Sequence, residues 1–119
     1  MSDVPTPYVI DIALWAAARI VGAEVSEVGD TTKKYNRSYQ STLIAHARAY
    51  AALALRAVYP DWHRVALCRA VGWGPLATAI YSFDARLRNG ECPWWRDDYF
   101  MRVIEVIEQA EKQQEEKSA

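Results

Sequence analysis

Phosphate binding is the chemistry this sequence is best equipped for, and the residues that would do it are concentrated in the middle of the chain. Residues 31–90 hold Lys33, Lys34, Arg37, Arg48, Arg56, Arg64, Arg69, Arg86 and Arg88 against only Asp61 and Asp84, a local charge of +7. The flanks are acidic, −4 over residues 1–30 and −4 over residues 91–119, so the 119-residue chain sums to −1. A long-range field follows local charge density rather than the sum. A basic segment of this size is the expected footprint of something that sits on nucleic-acid phosphates.

Other chemistries are poorly supplied. Cys68 and Cys92 form no CxxC and have no His pair nearby, which suits two reduced thiols in the cytosol. His46 and His63 are far apart and lack the carboxylate or thiolate company of a metal site. No nucleophile stands with its base, so the expectation is a protein that is not an enzyme and needs no metal or cofactor. No apolar run approaches the roughly 18–20 residues that cross a bilayer. Asp3 and Pro5 stand where a signal peptide would begin its basic and apolar regions. The location expected is cytoplasmic and nucleoid-associated, with no membrane partner.

The elements that must position the basic residues read as helices, and no stretch alternates with period two long enough to claim a strand. The fold class expected is all-α, a compact domain of five to six helices around a helix-turn-helix, over residues 1–111 with a polar tail at 112–119. A first helix starts at Thr6-Pro7 and stops at Gly22, with Ile12, Trp15, Ala16 and Ile20 as its inward stripe. A short turn of helix at Val25–Val28 leads to a polar loop carrying Lys33, Lys34 and Arg37. A long helix from Ser38 to Tyr59 contains seven alanines between Ala45 and Ala57, suiting a central strut. Leu43, Ala47, Ala51, Ala54 and Leu55 would line its packed side. Asp61 caps a shorter helix through Val71, and Gly72-Trp73-Gly74 breaks it. Pro75 opens the next helix, to about Leu87, with Leu76, Ile80, Phe83 and Leu87 inward. After Asn89-Gly90, a last helix from about Trp94 turns Phe100, Val103, Ile107 and Ala110 inward, and its Glu/Gln/Lys end from Lys112 reads as frayed.

Two consecutive helices joined by a glycine-containing turn, inside the +7 segment, make a helix-turn-helix candidate. Across roughly residues 8–88 the chain resembles the C-terminal DNA-binding domain of the bacterial replication initiator DnaA. The likeness rests on Gly22-x-x-Val25-Ser26-Glu27-Val28, the basic loop, the Ala47-Arg48 step in AHARAYAAL, and Leu67-Cys68-Arg69-Ala70-Val71-Gly72. The Gly-Arg-Asp-His-Thr-Thr that opens the recognition helix of that family is Gly74-Pro75-Leu76-Ala77-Thr78-Ala79 here, and no GxxxxGK[ST] loop occurs. The resemblance therefore implies neither the initiator's target box nor its ATPase. With Trp94-Trp95-Arg96-Asp97-Asp98 following, the chain looks like the DNA-binding part of the activators of gene transfer agents in alphaproteobacteria. That likeness implies double-stranded promoter DNA as ligand. It also implies a sigma-factor-like partner protein, RNA polymerase and a DNA-bending host factor as further partners.

The site expected divides by role. Lys33, Lys34 and Arg37 suit phosphate or minor-groove contact, or simply a solvated loop. Arg48 matches a family arginine that faces the DNA backbone, with a surface salt bridge as its alternative. Arg86 and Arg88 suit phosphates or merely the helix dipole. Gly74, Ala77, Thr78, Tyr81 and Ser82 form the base-reading surface, the last four projecting away from the apolar stripe. With no bidentate Arg, Asn or Gln there, much of the discrimination must come from DNA shape or a partner. Trp73 either wedges against DNA or packs inside. Trp94 and Trp95 are the residues expected to dock a protein partner. A protein–protein adaptor that keeps the helix-turn-helix as scaffold is the competing class.

Overall fold

Thr6 shows how closely local chemistry sets the helix boundaries. Its hydroxyl accepts from the Val9 N–H at 3.3 Å, capping α1 (Pro7–Val21), and Pro7 supplies a first position that needs no N–H partner. Gly22 ends the helix in the left-handed region at φ 81°, donating to Ala18 O. The computed structural model describes residues 3–30, 43–72 and 78–118, and of residues 78–82 and 118 only the backbone. The described residues form six helices and no strand: α1, α2 (Val25–Gly29), α3 (Leu43–Val58), α4 (Arg64–Val71), α5 (Thr78–Arg88) and α6 (Asp97–Ser118). The all-α class is thus shown. A Cα radius of gyration of 13.6 Å equals the about 13.5 Å of a single globule this long.

α3 is the strut. Every residue from Ala47 to Leu55 is buried, so the helix is enclosed on all sides, as a central helix of a bundle must be. Its alanines let α1 and α6 approach closely, and α1 answers with small residues of its own. Val9, Ala13, Ala17 and Ala18 are wholly buried, together with Leu14 and Ala16. Of the expected inward stripe of α1, Ala16 is buried and Ile12 and Ile20 pack partly buried against the core, and Trp15 alone is corrected. Trp15 lies on the outer face, 46% exposed, with the Arg19 guanidinium 5.3 Å from its ring centroid. An Ala-to-Ala interface has no room for an indole. Leu43, expected inside, is also exposed at the start of α3.

α6 completes the bundle against α1 and α3, and Val103, Ile107 and Ala110 enter the core as expected. Two expectations about it change. It begins at Asp97 rather than Trp94, and it continues to Ser118 instead of fraying from Lys112. Two distant residues hold its second half. The buried Tyr59 hydroxyl donates to the Glu111 carboxylate, and Thr6 Oγ1 donates to Gln114 Oε1 at 2.8 Å. Burial, with the Glu111 carboxylate beside it, holds the Tyr59 phenol above its ordinary range. α4 is capped by His63, whose Nδ1 accepts from Val65 N–H at 3.3 Å, so the cap expected at Asp61 lies two residues too early. No helix among the described residues is long and apolar enough to cross a membrane.

Candidate nucleic-acid interface

α4 and α5 follow one another across residues 72–77, in the order of a helix-turn-helix. α4 places Leu67, Cys68 and Val71 in the core and stops at Gly72, whose φ of 67° is one an L side chain rarely adopts. α5 ends at Asn89-Gly90, where the Glu91 N–H returns to Arg86 O at 2.9 Å.

Among the described residues, three contacts fix α5 on the body of the molecule. Arg56 of α3 grips Asp84 with two bonds, 3.0 and 2.9 Å. Phe83 is buried and stands 5.6 and 5.7 Å from the rings of Trp94 and Trp95. Leu87 packs partly buried against the core. The segment after α5 is itself fastened to α3. Trp94 stacks on His46 at 3.9 Å and 10°, and Trp95 stacks on Tyr50 at 4.4 Å and 13°. The buried Tyr50 hydroxyl donates to Trp94 O at 3.0 Å and accepts from Arg96 N–H at 2.7 Å. Burial lowers the His46 pKa and raises that of Tyr50.

These stacks give Trp94 and Trp95 a role inside the chain beside the docking role expected of them. Both are partly buried, and each spends a ring face on α3, so they orient α5 within the chain.

Arg48 is the larger correction. It is 0% exposed, so it stands on no surface from which a phosphate could be reached. Among the described residues its guanidinium donates to four backbone carbonyls: Val28 O (3.2 Å), Glu27 O (3.1 Å), Asp30 O (2.8 Å) and Gly72 O (3.1 Å). Carbonyls at helix ends have no partner within their own helix, and a planar guanidinium can serve several at once.

Of the remaining expected contacts, Arg86 is exposed in the last turn of α5, and Arg88 with it. Thr78, Tyr81 and Ser82 fall in α5. Lys33, Lys34, Arg37, Trp73, Gly74 and Ala77 lie outside the described residues, as do the side chains of Thr78, Tyr81 and Ser82.

The chain matches no protein-family model, no curated protein and no solved structure.

Two cations of the +7 segment to which the motifs assign no site role, Arg64 and Arg69, are both exposed on α4. Their signal was the absence of acids. Between residues 64 and 88 the sequence has one carboxylate, Asp84, and Arg56 holds it. α6 carries the opposite sign on its surface, with Glu105, Glu108, Glu115 and Glu116 exposed. Among the described residues no three His, Cys, Asp or Glu side chains gather as a metal set.

Proposed function

We propose that this domain binds double-stranded DNA along its α4–α5 side and acts as a transcriptional activator. The observation that carries the reading is charge segregation. Arg64, Arg69, Arg86 and Arg88 are the exposed charged side chains of α4 and α5, while the sole carboxylate between them is tied to Arg56. Phosphate contact is non-specific and strong, so these arginines together with Lys33, Lys34 and Arg37 supply affinity and register. Gly74, Ala77, Thr78, Tyr81 and Ser82 supply the groove contacts. The resemblance to gene transfer agent activators supports a promoter of such a phage-like cluster as the target. It supports a sigma-factor-like protein, RNA polymerase and a DNA-bending host factor as partners.

Fluorescence anisotropy with native promoter and random duplexes tests this. Binding is expected to weaken on the order of 10³-fold between 50 and 200 mM salt, the range for six or more phosphate contacts. Binding insensitive to salt contradicts it. An adaptor is the second reading, favoured by Tyr8 and Trp15, both exposed on α1 at 45% and 46%. An adaptor binds neither duplex.

A further inference from the structure

Arg48 is the one arginine among the described residues that is fully enclosed, and its acceptors among those residues come from two places. Glu27 O, Val28 O and Asp30 O belong to the C-terminal end of α2 and the residue after it. Gly72 O belongs to the C-terminal cap of α4. Each place is where the chain departs toward a proposed DNA-contacting segment. Residue 31 opens the stretch with Lys33, Lys34 and Arg37, and residue 73 opens the stretch before α5.

We propose that Arg48 is a positioning residue that holds Asp30 and Gly72 at a fixed separation. DNA affinity then depends on Arg48 although it never touches DNA. The proposal rests on the DNA-binding reading above. Its chemistry requires a guanidinium. Nε serves Val28, Nη1 serves Gly72, and Nη2 serves Glu27 and Asp30, so one rigid plane spans both segments. A lysine keeps the charge but offers a single nitrogen, which cannot face both sides of that plane. The signature is thus opposite to that of a phosphate contact, which tolerates lysine and contributes to the salt slope.

The test compares wild type with Arg48→Lys in duplex binding across a salt series and in amide hydrogen exchange. Arg48→Lys is expected to lose at least tenfold in affinity, with an unchanged slope of log Kd against log salt. Exchange is expected to speed up at both Glu27–Asp30 and Ala70–Gly72. Affinity within twofold of wild type overturns the proposal, and so does a slope shallower by about one, the mark of a lost phosphate contact. Ile107→Val, a mild core substitution in α6, controls for simple destabilisation. If it weakens binding as much for the same loss of Tm, the proposal falls.

Should Arg48→Lys fail to fold, wild-type NMR decides. The Arg48 Nε–H resonance is expected to resist solvent exchange and to stay in place when duplex is added; a fast-exchanging or DNA-shifted resonance overturns the proposal. A wild-type chain that binds no duplex overturns the DNA reading and the effect on affinity with it. The exchange measurement still decides separately whether Arg48 couples the two segments.

Discussion

α1, α3 and α6 are joined to one another chiefly by apolar side chains removed from water, from Val9 and Ala13 through Leu53 and Leu55 to Val103 and Ile107. The α4–α5 pair is joined to them differently. Leu67, Cys68, Val71 and Phe83 enter the core, but the contacts that fix direction are polar or stacked: Arg48 on Gly72, Arg56 on Asp84, and Trp94 and Trp95 on His46 and Tyr50. Apolar burial is non-directional, so it stabilises without fixing an angle well. Hydrogen bonds and stacked rings weaken steeply with misalignment, so they fix angle at modest stability. One region determines whether the chain folds, and the other determines where α5 points.

The strongest way to break this comparison is to delete core volume. Ile107→Ala is expected to cost about 2–5 kcal/mol in denaturant unfolding, with the whole transition moving as one. A cost near that of a surface substitution would dissolve the distinction. Next comes the tie at the end of α6. Glu111→Ala leaves the buried Tyr59 hydroxyl without this acceptor and is expected to cost about 1–3 kcal/mol. Adding Tyr59→Phe is expected to recover part of that loss, which a double-mutant cycle reads directly.

Smaller again is the tie to α5. The Arg56 and Asp84 side chains are 37% and 31% exposed, so Asp84→Asn is expected to cost no more than about 1 kcal/mol. Amide exchange in α5 nevertheless rises, because orientation is what the pair supplies. If Tm falls steeply instead, the pair belongs to the stabilising region and the comparison is wrong.

The smallest effect is a pH dependence. Burial against Trp94 holds the folded His46 below its ordinary pKa of 6.5, so on acidification the unfolded chain takes up a proton first. Stability is therefore intact above pH 6.5 and declines as pH falls below it. Thermal melts of wild type and His46→Gln at pH 7.5 and 5.5 check this, the variant showing the smaller difference.

Much of the fold was legible because its signals are local. Thr6-Pro7 and Gly22 mark α1 by caps that need only neighbouring residues, and the alanine run marks α3 as the helix others must approach. Trp15 reads as inward because α1 carries two apolar stripes in overlapping register, and only the alanines of α3 choose between them. The α6 tail reads as solvated because the partners of Glu111 and Gln114, Tyr59 and Thr6, are distant in sequence. Arg48 carries a partial signal, since Ala45, Ala51, Ala52 and Leu55 share its helical register and all are buried. Its acceptors, however, are backbone carbonyls some twenty residues away on either side, and no residue type advertises them. Trp94 and Trp95 show the same limit: aromatic composition marks a contact without saying whether the partner is another protein or the chain itself.

The most direct test of the account is the slope of log Kd against log salt for duplex DNA. It is to be measured for wild type and for the combined variant R64Q/R69Q/R86Q/R88Q. The account predicts a steep wild-type slope that becomes shallower by about 3 to 4 in the variant, one counterion-release contribution per arginine. R102Q/K112Q, which removes two exposed cations from α6, is expected to leave the slope unchanged. A wild-type slope near zero, or a combined variant as salt-sensitive as wild type, would contradict the assignment of DNA binding to the α4–α5 side.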